Sequence, residues 1–177
     1  MITIERAKTA VLYSAESGLF TWLHRADMHA RWNTMYAGKR AFTSLDSRGY
    51  HQGSIDNRAI FPHRLAWAFA NGRMPVGIVD HANGIKTDNR AANLRLATVR
   101  QNQQNAPSHG GSSKYCGVSF HRRDKRWQAY IHNETGRHRH LGTFKTELEA
   151  AAAYDAAALI YHGEFARLNL TKPEIRT

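Results

Sequence analysis

The chain has 177 residues, of which 42% are hydrophobic and 10% aromatic, enough to build a core, and its formal net charge is +11 with histidine neutral. With an isoelectric point near 10.2, this surplus points to a polyanionic partner, most simply nucleic acid. A single cysteine, Cys116, excludes an internal disulfide framework and a cysteine-based zinc knuckle, and no run approaches the roughly 20 apolar residues of a membrane span.

The first residues, MITIERAKTAVLYS, have no long apolar stretch and carry Glu5 early, so they do not read as a secretory signal and the expected location is the cytoplasm. GLFTW (Gly18–Trp22) and GYHQGSI (Gly49–Ile55) read as strands. Asp56-Asn57 suggests a tight turn into RAIF (Arg58–Phe61), which makes a hairpin. Pro62 then precedes HRLAWAFANG, a helix stopped at Asn71-Gly72. The segment from Ala26 to Asp46 is basic and weakly patterned, and it receives no element.

Residues 77–105 parse as strand, loop, strand and helix. GIVDH is a short apolar strand ending in Asp80-His81, ANGIKTDNRAAN is a polar loop, and LRLAT alternates Leu94 and Leu96 against Arg95 and Ala97. Thr98-Val99-Arg100-Gln101 has the pattern of a capping box, so a helix begins there with Asn102 in its first turns. In a compact strand–strand–helix unit, Asp80 and Asn102 converge as oxygen ligands, a donor set that suits Mg²⁺ or Mn²⁺ with water and phosphate completing the shell. His81 projects to the other side of its strand and there can activate a water. Asn93, at the start of the second strand, can hold the imidazole and fix its tautomer. Asn83 and Asn89 read as turn formers, and Asn105 as a residue that either supports the site from behind or ends the helix. A plain Asn- and Asp-rich turn closing a hairpin accounts for the same composition.

HRLAWAF followed by VDHANGIKTDNRAANLRLATVRQNQQN closely resembles the HNH endonuclease family, in the phage and mobile-element branch whose third motif residue is Asn. The resemblance covers about residues 49–105. It implies a ββα-metal nuclease with His81 as general base, Asp80 and Asn102 as metal ligands, and Asn93 orienting the His81 ring. His63 also falls on a recurrent family position and is expected to cap or pack its helix. Many relatives carry a zinc held by two cysteine pairs; one cysteine cannot supply it, so no structural zinc is expected.

APSHGGSSK forms the seam of the chain, with Pro107, Ser108, Gly110, Gly111, Ser112 and Ser113 giving a flexible composition. Beyond it, GVSFH (Gly117–His121), RWQAYIH (Arg126–His132) and RHRHLG (Arg137–Gly142) read as three short strands joined by RRDK and NETG. Thr146-Glu147-Leu148-Glu149 is a capping box opening an Ala-rich helix to about Tyr161, with Gly163 at its end. Alternation assigns Val118, Phe120, Trp127, Ala129, Ile131 and Leu141 to a face against that helix. Ser119, His121, Gln128, Tyr130, His132, His138 and His140 take the other face. Arg122, Arg123, Lys125 and Arg126 ring the first turn, and Arg137 and Arg139 edge the third strand. Residues 114–141 hold seven Lys/Arg and two Asp/Glu, net +5, whereas residues 142–170 hold two and four, net −2. A basic sheet backed by an acidic helix marks the side that meets phosphate. An ordinary two-layer domain with a polar solvent face accounts for the same division, and a metal held by His132, His138 and His140 is a further reading of that face.

Residues 113–170 look like the Apetala/ethylene-response-factor DNA-binding domain of plant regulators, a fold also found fused to HNH nucleases in phages. The Tyr115-x-Gly117-Val118, Trp127-x-Ala129-x-Ile131, Leu141-Gly-Thr-Phe144 and Ala-Tyr154-Asp155 motifs and the closing Leu168-Asn169 carry the match. It implies that the sheet lies in the major groove of double-stranded DNA. Plant domains place several Arg and Trp on this face, where Ser119, His121, His132, His138 and His140 stand here, so the plant target sequence does not carry over.

The expected class is α+β: a ββα-metal nuclease domain followed by a three-stranded antiparallel sheet packed on one helix. The expected divisions are a β-containing extension at 1–48, the nuclease at 49–106, a linker at 107–112, the reader at 113–170 and a tail at 171–177. The expected activity is that of a homing-type site-specific nickase using Mg²⁺ or Mn²⁺, acting as a monomer with no membrane or protein partner. A non-catalytic DNA-binding regulator that uses the nuclease fold as a scaffold is the alternative. A structured-RNA binder ranks below it, because a groove-reading sheet suits duplex DNA.

Overall fold

The computed structural model describes residues 2–108, 110–133 and 136–170. The expected tail and the centre of the NETG turn lie outside them, as does His109 of the expected linker. The chain resolves into two compact units, Met1–Thr98 and Val99–Thr177.

The first unit opens with α1 (Ile4–Ala10), started by the Thr3 hydroxyl, which accepts from the Arg6 amide. At seven residues it is too short to show a helical period in the sequence. Strands β1 (Val11–Tyr13) and β2 (Phe20–Trp22) form an antiparallel pair. The unassigned basic segment contains α2 (Ala30–Tyr36), which has no buried residue, and the two-residue strand β3 (Ser44–Leu45). A helix without an apolar stripe leaves no periodic trace, which is why the pattern missed it.

β3 pairs with β4 (His51–Ile55), and β4 with β5 (Arg58–Ile60). The turn between them falls on Asp56 and Asn57, both at positive φ (52° and 60°), as the hairpin reading expects. Arg25, only 4% exposed, is packed beside that turn. Its guanidinium donates to Asp27 and Asp56, and Arg6 donates to the same two carboxylates. This four-residue network ties α1 and the loop after β2 to the hairpin.

Helix α3 (Pro62–Asn71) has Pro at its start and ends at Gly72 with φ 69°. It buries Leu65, Ala66 and Trp67 against Ala7, Val11, Phe20, Phe42, Ile55, Ile60, Val79 and Leu94. The hairpin of β6 (Ile78–His81) and β7 (Leu94–Ala97) completes the unit, in the register Asp80 to Arg95 and His81 to Leu94.

In the second unit, α4 (Val99–Gln104) is followed by the antiparallel sheet β8 (Val118–His121), β9 (Arg126–His132) and β10 (His138–Phe144), in the order β10-β9-β8. Helix α5 (Glu147–His162) packs on the sheet, and its capping box is formed reciprocally by Thr146 and Glu149. Ala150, Ala151, Ala157 and Ala158 allow the close approach, with Val118, Ala129, Ile131 and Tyr154 filling the interface. Gly117 has φ 68°, and a Cβ there would meet the Tyr154 ring at 2.2 Å, so only glycine fits. Asp155, buried on α5, accepts from the Asn169 and Leu170 amides, and the Asn169 side chain spans both backbone groups of Cys116. The Tyr154-Asp155 and Leu168-Asn169 motifs therefore hold the segment around Asn169 to α5 and to Cys116, just ahead of β8.

Two expectations on the sheet need correction. β10 runs on to Phe144 because the pairing shifts between His140 and Gly142, a bulge that places Phe144 opposite Trp127. Strict alternation cannot foresee this. Phe120, expected to be buried, is 37% exposed at the open end of β8, where its ring rests on Trp127.

Candidate functional site

Asp80 and His81 end β6, and alternation sends their side chains to opposite faces. His81 shares its face with Val79, Leu94 and Leu96, which line the core. Asp80 shares the other face with its cross-strand partner Arg95. Both residues are buried, at 6% and 4% exposure. The Arg95 Nε and Nη2 each lie 2.9 Å from Asp80 Oδ2, so the buried carboxylate is matched by a cation.

The His81 ring is held by the loop between the two strands. Its Nε2 lies 3.2 Å from Asn89 Oδ1, and Asn89 is itself buried. The ring partner is therefore Asn89 and not the expected Asn93, and Asn89 is more than a turn former. Asn93, in the short 3₁₀ turn Ala91–Asn93, is committed elsewhere: its Oδ1 accepts from the Asn83 amide and its Nδ2 donates to the Asp88 carbonyl. It clamps the two ends of the loop that presents Asn89. Asn83 is a turn former as read, with its side chain bound to Asp88 and to the Ile85 amide.

The loop is also braced from outside. The Tyr13 hydroxyl donates to the Asn89 carbonyl, and the Ala91 amide to the Ala15 carbonyl. Gly18, at φ 72°, lies where a Cβ would be 2.5 Å from the Asn89–Arg90 backbone. The turn between β1 and β2 thus approaches close enough to fix Asn89, although it stands about seventy residues away in sequence.

Two further rings close on His81. The centroids of Tyr50, His63 and His81 form a triangle with sides of 5.1, 5.8 and 5.4 Å. Tyr50 precedes β4, and His63 stands in the first turn of α3. His63 does not cap the helix, and its ring packs into the site. Burial pushes the His63 imidazole down to about 4, with His81 and then Arg64 adding to the effect, so it is neutral near pH 7. Burial also lowers His81, against the opposing pull of Asn89, Asp80 and Asp88. Lys86 stands over the Tyr50 ring and donates to the Arg48 carbonyl, which adds positive charge at the rim.

Asn102 lies on α4, half-buried, in the second unit. Asn105 is buried just beyond the helix, and its carbonyl accepts from Arg167. Among the described residues, no group of three or more His, Cys, Asp or Glu is arranged to hold a metal ion. The trio His132, His138 and His140 is not such a group. Instead, Tyr130 stacks on His138 at 4.8 Å, with His140 at 4.9 Å from Tyr130 and His132 at 4.8 Å from His138.

The register puts the predicted reading residues on one face: Ser119 opposite Gln128, His121 opposite Arg126, His140 opposite Tyr130 and His138 opposite His132. The Tyr130 hydroxyl donates to Gln128, and His121 Nδ1 lies 3.0 Å from Asp124 Oδ2. Arg122, Arg123, Lys125, Arg126 and Arg137 are exposed. Arg139 departs from the expectation. It pairs with Ile131, on the helix side, and its guanidinium lies over the Tyr161 ring.

Residues 61–104 match the HNH endonuclease family, a span that contains His63, Asp80, His81, Asn89, Asn93 and Asn102. The chain is also similar to plant regulators. It is 44% identical over 75 residues to the ethylene-responsive transcription factor WRI1 of Arabidopsis thaliana, which is 42% of this chain and 17% of that protein. To the AP2-like ethylene-responsive transcription factor PLT2 of the same plant it is 50% identical over 54 residues, 30% of this chain and 10% of the other. To the AP2-like factor At1g79700 it is 33% identical over 119 residues, 60% of this chain and 39% of the other. The chain thus spans well under half the length of these relatives. It combines an HNH segment with an AP2/ethylene-response-factor-like segment.

Proposed function

We propose that this protein is a metal-dependent DNA endonuclease in which residues 49–106 cut and residues 113–170 read. The observation that carries the proposal is the buried His81, aimed by Asn89 and adjacent to the buried carboxylate of Asp80, within the segment that matches the HNH endonucleases. With Nε2–H donated to Asn89 Oδ1, the lone pair lies on Nδ1, which takes the proton from an attacking water. Depression of the imidazole by burial keeps it in the basic form at neutral pH.

Within the first unit, the Asp80 carboxylate would hold a Mg²⁺ or Mn²⁺ ion. A carboxylate is a hard oxygen donor, and it fits a cation that completes its shell with other oxygen donors, water and phosphate oxygens. When bound, the ion supplies positive charge to the oxygen that leaves phosphorus. Arg95 holds the Asp80 carboxylate in place on its strand, and Asn93 holds the loop that carries Asn89.

The exposed basic turn Arg122–Arg126 and the polar face from Ser119 to His140 give the affinity and the target preference, by phosphate contacts and base-edge hydrogen bonds respectively. One chain carries one set of cutting residues and one reading face. The reading is therefore a monomer that nicks one strand of duplex DNA at an asymmetric site, in the manner of homing enzymes. Among the described residues no helix is long and apolar enough to cross a membrane.

A second reading, a DNA-binding regulator with a silent nuclease fold, draws on the ion pair that occupies Asp80 and on the similarity to transcription factors. Incubating supercoiled plasmid with the protein and Mg²⁺ separates the two. Open circles in Mg²⁺ and none in EDTA support the nuclease, and intact plasmid in both supports the regulator.

A further inference from the structure

His63 has no structural task that explains its chemistry. It is half-buried at the first turn of α3, and among the described residues neither ring nitrogen has a hydrogen-bond partner. Nor is either nitrogen among the buried side-chain atoms left without a partner, so solvent reaches the ring's polar edge. Its contacts are made by the ring: Tyr50 at 5.1 Å, His81 at 5.4 Å and Phe61 at 6.1 Å. These ring contacts alone would be met as well by an apolar ring.

The surroundings say what such a group can do. A neutral imidazole carries one N–H donor and adds no charge beside His81, so it does not hinder that residue from accepting a proton. Tyr50 and His81 fix two sides of the ring, so the donor is aimed before any substrate arrives. Hydrogen bonds preset toward developing charge stabilise a transition state more than a ground state.

We propose that His63 is a second catalytic histidine, which donates its ring N–H to a non-bridging oxygen of the scissile phosphodiester. The inference rests on the nuclease reading of this site. The donor bonds to the oxygen throughout the reaction and transfers no proton, so it is distinct from the base. It strengthens as negative charge accumulates on the phosphate in the step that His81 initiates.

The test uses the full chain and three substitutions. His63→Phe keeps the packed ring and removes the donor. His63→Gln removes the ring and keeps an N–H donor, and His63→Asn is a second donor-bearing variant. Nicking of supercoiled plasmid in Mg²⁺ is measured at saturating protein, DNA affinity in EDTA, and thermal stability of each variant.

Loss of one preset donor is expected to slow nicking by roughly 10²–10³-fold in His63→Phe. Affinity should stay within about 2-fold, since the bond matters in the transition state. At least one of the amide variants should recover a substantial part of the rate. Wild-type nicking by His63→Phe would overturn the proposal. So would equal loss in Phe, Gln and Asn variants that melt like the wild type. Failure of the unaltered protein to nick plasmid would instead retire the nuclease reading, and this inference with it.

Discussion

Replacing Asn89 by Ala probes the feature that the sequence did not reveal, the contact that holds the His81 ring. The side chain is buried and its Oδ1 lies 3.2 Å from His81 Nε2. Its removal takes a partner from a buried imidazole N–H, which costs about 1–3 kcal/mol. If that energy is expressed as lost orientation in the transition state, at about 1.4 kcal/mol per decade, nicking slows roughly 5- to 150-fold. The loss should be smaller than in His81→Ala, where removal of a general base costs roughly 10²–10⁴-fold. The Tyr13 bond and the Ala91–Ala15 bond are to backbone and survive the change, so the loop should keep its place. The assay is initial nicking rate at saturating protein as a function of pH. Because burial lowers His81, the rate of the wild type should reach half its plateau below pH 6.5. In Asn89→Asp, a carboxylate beside the ring favours the protonated form and moves that midpoint upward. A wild-type rate in Asn89→Ala, with an unmoved midpoint in Asn89→Asp, would show that Asn89 does not direct the base.

Asn93→Ala should act on the loop first: it strips partners from the Asn83 amide and the Asp88 carbonyl, costing about 1–3 kcal/mol, and thermal melting should register it. An unchanged melting temperature would contradict the clamp. Asp27 and Asp56 are held below the ordinary carboxylate value, Asp27 chiefly by Arg25 and Asp56 chiefly by Arg6. Depressed carboxylates add stability that is complete above their unfolded value of 3.8 and is lost as pH falls through the folded one. The melting temperature of the wild type should therefore drop more steeply between pH 4 and pH 2 than that of Asp56→Asn, and parallel curves would rule out the network as the cause. On the reading face, Arg126→Ala should lower the slope of log affinity against log salt by about 0.9, the share of one phosphate contact. Arg139→Ala should leave the slope unchanged, because its guanidinium covers Tyr161, and an equal loss would put Arg139 back among the DNA contacts.

Elements with strong local grammar were legible from residues alone. Asp56-Asn57, Pro62 with Gly72, and Thr146 with Glu149 each state a boundary in a few neighbouring side chains. Helices α1 and α2 were not, since seven residues and no buried stripe leave little periodic signal. At the site, Asp80 and His81 could be placed on opposite faces because a strand has period two. The choice between Asn89 and Asn93 could not be made from spacing, since it depends on how a twelve-residue loop folds back and on Gly18 approaching from a distant turn. Tyr50 and His63 come from different elements again, and only tertiary packing brings their rings to His81. The bulge at His140–Gly142 set Phe144 opposite Trp127, against the core, for a similar reason: one inserted residue cannot be seen in an alternating pattern.

The central claim is that His81 acts as the base of a metal-dependent cut in DNA. Supercoiled plasmid is incubated with protein below substrate, with Mg²⁺ or with EDTA, and with the wild type or His81→Ala. The account predicts open circles accumulating before any linear product in the wild type with Mg²⁺, none in EDTA, and a rate at least roughly 10²-fold lower in His81→Ala with DNA affinity retained. Nicking that persists in EDTA, or that proceeds at the wild-type rate without the His81 imidazole, would contradict it.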